Sequence, residues 1–329
     1  MTITTDLFTI ANLSEAINTG DRVYGQIGRA GIFPDAPEQI FSRVAVIDEQ
    51  GGQLEVATDM PLGSTGDTLS IETDKTRTVA IPHFPAQATL TGESIRAARA
   101  TGMDELATMA YLVNRELDRH RKRFELTKEV LKARAIQGAV TDGSGKTLFN
   151  AYTEFGISQV TKSIPASGLH TYSTDLSREV EDGLNADLMD GAIAFCSPSL
   201  FDAILALAIE DADKVMFPNQ QFGTDIRKDG FVVSGVRYVE YNAKARNAAG
   251  TRSPIIADGT GYAVPGGNTD AFKYFVAPAD FNETINTSAA MEYYASLESL
   301  PHNRGYSIHS QANILPICMR PGACVKLSL

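Results

Sequence analysis

The clearest pattern in the chain is a run from Met103 to Ile136 that contains neither Gly nor Pro. Apolar residues recur there at Leu106, Met109, Ala110, Val113, Leu117, Phe124, Val130, Leu131 and Ile136, close to helical spacing, and strong helix formers fill the intervals. At ~1.5 Å per residue the predicted rod is about 50 Å long, the diameter of a domain. Its polar positions alternate in sign. Glu116 stands against His120, Asp118 against Lys122, and Glu125 and Glu129 lie among Arg121, Lys128 and Lys132. Such i,i+3 and i,i+4 pairs predict a solvated or subunit-facing surface.

Upstream the pattern is different. Residues 1 to about 40 show little sustained period, carry Gly20, Gly25, Gly28 and Gly31, and hold the turn cluster Pro34-Asp35-Ala36-Pro37. They predict an extended arm with a short helix at Leu13 to Ile17. Val44 and Val46, then Leu54 and Val56, share one face around Asp48-Glu49-Gln50-Gly51-Gly52, which predicts a β-hairpin. A polar loop follows from Pro61 to Asp67, and Thr76 to Ile81 predicts a further strand stopped by Pro82. Two strands without a cover are marginal in water. The hairpin must therefore lean on another subunit or on this chain's own helix.

Downstream, Asp142-Gly143 marks a turn before a strand at Thr147 to Tyr152. Leu176, Val180, Leu184 and Leu188 repeat every four residues and predict a helix ending near Asp190-Gly191. An apolar strand, Ala192 to Phe195, leads to Ser197 and Pro198, an N-cap and first-turn pair for a helix over Leu200 to Ile209. Further strands are predicted at Phe231 to Val233, Val236 to Tyr241, Phe272 to Val276, Met291 to Ser296, Tyr306 to Ser310 and Cys324 to Ser328. The mixture is α+β without a regular βαβ rhythm.

Composition changes the picture at a few points. The chain has 329 residues, 29 basic and 40 acidic, for a formal net charge of −11. So acidic a chain has no general attraction for phosphate, which argues against nucleic-acid binding by counterion release. Its longest apolar runs fall far short of the ~18 residues of a membrane span, and the first residues lack a basic leader region, so the expectation is a protein neither secreted by that route nor membrane-embedded. Cys196, Cys318 and Cys324 have apolar neighbours and no Cys-x-x-Cys spacing. They read as reduced, partly buried small hydrophobes rather than as a disulfide pair or a metal site.

Candidate chemistry is sparse. Gly143-Ser144-Gly145-Lys146-Thr147 suggests a phosphate loop, but Val140 stands where the first glycine is needed, and the segment runs from helix to strand. It reads as a β-turn. His83, His120, His170, His302 and His309 are scattered without ligand spacing. Glu210, Asp211 and Asp213 cluster at a helix end and read as a solvated terminus; the competing reading is a soluble α+β enzyme with a carboxylate site near Asp211.

The order of these pieces resembles the tailed-phage major capsid proteins of the Hong Kong 97-type fold, and in detail the lambda-type branch, the major capsid protein E family. The residues that carry the resemblance are Ala277-Pro-Ala-Asp-Phe-Asn-Glu-Thr-Ile-Asn-Thr287, His309-Ser-Gln-Ala-Asn-Ile-Leu-Pro-Ile-Cys318 and Arg320-Pro-Gly322, with Ile81-Pro-His83 and Asn150 to Gly156 around the long helix. The resemblance implies a self-assembling icosahedral shell around packaged double-stranded DNA, with no cofactor, metal or catalytic residue. It implies an N-arm over 1–40, an E-loop over 41–86, a spine helix with peripheral-domain strands over 87–172, an axial domain over 173–288 and a return to the peripheral domain over 289–329. Subunit contacts are then expected at Leu54, Val56, Leu62, Thr65 and Asp67 on the loop, at Arg115, Arg119 and Lys122 on the helix, and at Arg320. The implied partners are other copies in hexamers and pentamers, a portal, a separate scaffolding or protease protein, since about 40 residues before the loop leave no room for a large scaffolding segment, and a decoration protein. A cellular nanocompartment shell of the same fold is the second alternative.

Overall fold

The structure, a computed structural model, describes residues 8–19, 25–49, 75–99, 105–184, 189–211, 226–246, 250–267, 270–284 and 290–329. Its centre is a six-stranded mixed sheet with the order Thr161–Ser163, Val325–Ser328, Thr260–Pro265, Ala192–Cys196, Val236–Glu240 and Phe231–Val233. Ala192–Cys196 is buried at every position. It pairs in parallel with Val236–Glu240 on one side and antiparallel with Thr260–Pro265 on the other. A strand covered on both faces has no need of alternation, which is why it reads in sequence as a plain apolar run.

Two helices cover this sheet. Leu169–Gly183 buries Leu169 together with Leu176 and Val180 of the four-residue repeat seen in the sequence, with Leu184 of that repeat buried just beyond its end; Leu188 lies outside the described residues. Pro198–Glu210 begins as expected after Ser197, whose backbone is extended, although the Ser197 hydroxyl caps no amide and instead lies 3.4 Å from the Ser199 hydroxyl. Phe201, Phe231 and Tyr238 pack between helix and sheet, Phe231 edge-to-face with Phe201 and stacked on Tyr238, with ring centroids 5.5 Å apart in each pair, and the Ser173 and Tyr238 hydroxyls hydrogen-bond at 2.9 Å. Ser234 and Gly235, at φ of 48° and 82°, form the two-residue turn that joins Phe231–Val233 to Val236–Glu240.

The long helix spans Glu105–Ile136. Its first half packs Leu112, Val113, Leu117 and Phe124 into a core shared with Leu13 and Ile17 of the helix Ile10–Thr19 and with a second sheet, ordered Tyr293–Ser299, Gly305–Ala312 and Phe84–Thr91. Its last turns, from Leu131 to Ile136, enter the main core instead. The helix therefore ties two cores together. A third sheet, Glu38–Gln39, Phe272–Val276 and Ile314–Cys318, lies against it and carries residues of the main core.

Several expectations change. The arm helix is longer than the sequence suggested, and Ile27, Ile32 and Phe33 are buried in this chain's own core rather than extended away from it. The strand predicted over Thr147 to Tyr152 ends at Asn150, whose side-chain oxygen accepts the Thr153 amide at 3.4 Å and starts the short helix Ala151–Phe155. The predicted turn at Asp48-Glu49 is strand: Val44–Glu49 pairs antiparallel with Lys75–Ala80, in register Val44↔Ala80 to Glu49↔Lys75. Thr260–Pro265, Phe84–Thr91 and Ile314–Cys318 were not anticipated as strands.

Candidate assembly surfaces

The paired strands Val44–Glu49 and Lys75–Ala80 form the base of the hairpin. Ala45, Ile47 and Val79 point inward and join the main core with Ile81, so this chain covers its own hairpin base. Arg77 completes the inner face, its guanidinium 4.7 Å from the Phe155 ring centroid. Alternation then forces Val44 and Val46 outward, where they are 44% and 55% exposed; nearby Phe41 is 80% exposed. This chain leaves Val44 and Val46 about half uncovered and Phe41 almost wholly so, and the three form an apolar surface suited to another chain. Leu54, Val56, Leu62, Thr65 and Asp67, the expected contacts further along the loop, lie outside the described residues.

On the long helix the expected contacts Arg115, Arg119 and Lys122 are all exposed. Arg119 reaches the Glu116 carboxylate at 3.0 Å and Arg115 reaches it at 3.5 Å. With guanidinium groups this exposed, such pairs are worth ~0–1 kcal/mol in the single chain, so the cations remain available to a neighbour. Arg320 is half-buried and sits on a separate element, just before the 3-10 turn Pro321–Ala323.

The rest of the helix's polar face corrects the sequence reading. Glu116, His120, Arg121 and Lys132 are buried, not solvated. They are covered by segments remote in sequence, which local pattern does not see. The Glu129 carboxylate accepts the Ile27 amide at 2.9 Å and the Gly28 amide at 3.4 Å, fastening the arm to the helix. Lys128 meets Glu292 at 3.0 Å and Glu125 at 3.9 Å, and the Tyr293 hydroxyl donates to Glu125 at 2.9 Å. The Lys132 ammonium lies 5.1 Å from the Phe33 ring centroid and 5.4 Å from that of Tyr274. His120 Nδ1 is 2.9 Å from the Ser310 hydroxyl. Burial raises the Glu129 carboxyl above its ordinary value against its amide hydrogen bonds, and lowers both Lys132 and His120. A cavity of about 30 Å³ lies among Glu125, Lys128, Glu129, Lys132 and Glu292, room for a water molecule.

The carboxylate cluster has structural work. Asp211 Oδ2 accepts the Leu169 amide at 2.9 Å, capping the start of the helix Leu169–Gly183, while Asp213 lies outside the described residues. The glycine-rich segment is the predicted turn: Asp142 Oδ1 accepts the amides of Ser144 and Lys146 at 2.8 and 2.9 Å. Among the described residues no group of His, Cys, Asp and Glu is gathered as a metal would require.

An arm fastened to a long helix, a hairpin with an apolar outer face and a compact α/β centre make up the described protomer. The family model for phage major capsid protein E matches residues 9–329. The chain belongs to that family. It is 26% identical to the major capsid protein of Pseudomonas phage KPP10 over 344 aligned positions, covering 97% of this chain and 96% of that one. It is 23% identical to the major capsid protein of Salmonella phage Felix O1, with the same shares covered. Among solved structures it resembles the capsid protein of an Escherichia coli CFT073 prophage, at a TM-score of 0.61 and 10% identity over 97% of this chain and 98% of the other. It also resembles a phage-related protein of Bordetella bronchiseptica RB50, at a TM-score of 0.51 and 11% identity over 96% and 95% of the two chains. The fold is the α+β Hong Kong 97-type capsid fold, and this member of the major capsid protein E family is a building block of the phage head shell.

Proposed function

We propose that this capsid protein assembles through the outer face of its hairpin, laid on a neighbouring copy, into hexamers and pentamers that close around double-stranded DNA. The observation that carries the contact is the outward row of Phe41, Val44 and Val46 on a hairpin whose inner face this chain already buries. The exposed cations Arg115, Arg119 and Lys122 supply a polar second contact, and Arg320 a third. The boundaries 40, 86, 172 and 288 divide the chain into arm, loop, spine, axial domain and peripheral return. On this reading the protein does no catalysis, assembles in the host cytoplasm, and works with a portal, a separate scaffolding or protease protein and a decoration protein. The net charge of −11 keeps the wall from adhering to the DNA it encloses.

Negative-stain microscopy of the chain expressed with its neighbouring head genes tests assembly; a strict monomer under all conditions overturns it. Val46→Asp tests the contact. The fold should persist, since Val46 touches no core, while closed shells should be lost; wild-type shells from the variant would remove the hairpin face from the interface. Deleting residues 62–74 spares both paired strands and should likewise leave a folded protomer that forms no closed shell.

A further inference from the structure

Cys318 and Cys324 were expected to be independent buried hydrophobes. Both are buried, and their sulfur atoms lie 3.5 Å apart, in contact but not bonded. Cys318 ends the strand Ile314–Cys318, which pairs with Phe272–Val276; Cys324 precedes Val325–Ser328 in the six-stranded sheet. The connection between them is held closely. The Met319 amide donates to the Ala271 carbonyl at 2.8 Å, and the Cys324 amide to the Pro321 carbonyl at 3.2 Å. The helix Leu169–Gly183 presses on the far side, where a Cβ on Gly183 would stand 2.4 Å from the Gly322 carbonyl. These hydrogen bonds and this close packing hold the turn, and with it the two thiols, in place.

We propose that Cys318 and Cys324 are a dithiol that oxidises to an intrachain disulfide and so locks the joint between the two sheets. The oxidant that fits a buried pair is a water-sized peroxide. One sulfur attacks a peroxide oxygen; the S–O bond forms, the O–O bond breaks and one water leaves. The second sulfur then displaces hydroxide from the resulting sulfenic acid, forming the S–S bond and releasing a second water. The two sulfurs give up two electrons and hydrogen peroxide takes them. The contact with Cys318 and burial both hold the Cys324 proton in place, so the reaction is slow. Cys196, equally buried but without a cysteine neighbour, has no such outcome. In a reducing compartment the pair stays open, and in an oxidising one it closes.

The test uses the full chain, folded, treated with hydrogen peroxide and then digested. Trypsin does not cut between Arg320 and Pro321, so both cysteines fall in one peptide, Gly305 to Lys326. That peptide should lose two hydrogens and its alkylatable thiols, with Cys196 still alkylatable after unfolding and the chain monomeric on a non-reducing gel. The oxidised protein should melt higher, by on the order of 5 °C, and dithiothreitol should reverse the shift. Cys324→Ser and Cys324→Ala should show no peroxide-dependent shift. Two intact thiols under conditions that oxidise the unfolded chain, sulfinic acid at either position, or a linkage between chains would each overturn the proposal. It is independent of shell assembly, since every readout is made on the protomer.

Discussion

The six-stranded centre and the joint between arm and long helix are both buried, but they are built from opposite materials. The centre buries Phe195, Phe201, Phe231 and Tyr238 among aliphatic strands. The joint buries Lys132 outright and half-buries Glu129, Lys128 and Glu292. Apolar burial is favourable at every contact, so the side-chain core of the centre is set chiefly by packing. Buried charges stabilise only when each is satisfied, and replacing such a pair with apolar groups often costs nothing. What the charges add at the joint is registration: Glu129 accepts two particular amides, and a slip of the arm by one residue would leave a desolvated carboxylate.

The largest effect that separates the two regions is in the centre. Phe201→Ala should destabilise the protomer by ~3–5 kcal/mol, read as a shift in the urea midpoint, because helix and sheet cannot close the hole. At the joint, Glu129→Ala should cost ~1–3 kcal/mol by orphaning the Ile27 and Gly28 amides, and proteolysis should then cut the arm before the centre opens. If both variants lose stability equally and unfold the whole chain at once, the joint is not a separate unit. Smaller again, Arg119→Ala should change protomer stability by less than ~0.5 kcal/mol, since its guanidinium is exposed and Arg115 remains beside the Glu116 carboxylate. A loss comparable to that of Glu129→Ala would place Arg119 in the interior and erase the distinction between the two faces of the helix.

Legibility in the sequence follows the same division. Helix Pro198–Glu210 and strands Ala192–Cys196 and Phe272–Val276 were visible because their signals, an N-cap with Pro198 and short apolar runs, are local. The buried side of the long helix was misread because charge on a helix looks solvated until its cover is known. Glu129 is 102 residues from Ile27, and Lys128 is 164 residues from Glu292. Val44–Glu49 pairs with Lys75–Ala80 across residues 50–74, a pairing that no local signal announces, while the expected turn at Gly51-Gly52 and the return through Leu54 and Val56 lie outside the described residues. Thr260–Pro265 was missed because it pairs centrally yet carries Gly261 and Pro265, residues that argue against a strand. At Gly261 the reason is on view: a Cβ would meet Leu200 at 2.6 Å, so only glycine admits the helix this close.

The finest distinction between the regions is in pH dependence, because the joint sets a carboxyl with raised proton affinity beside an ammonium with lowered proton affinity. The folded state raises the Glu129 carboxyl, chiefly by burial, so it holds its proton where the unfolded chain has released it. The stabilisation from that proton is complete below the unfolded value of about 4.3 and is lost as pH rises through the folded value. Lys132 is lowered, again chiefly by burial, so the folded state gives up its proton first and stability recovers as pH rises toward the unfolded value near 10.4. The joint is therefore least favourable between these limits, where both groups are charged. Glu129→Gln should flatten the acid limb of the stability profile relative to wild type while sparing the alkaline limb, and Lys132→Met should do the reverse. Urea titrations across the range, compared as differences from wild type, resolve the two limbs. Identical profiles in all three proteins would show that the joint takes up no proton on folding, and that its charges are held as firmly as the rings of the centre.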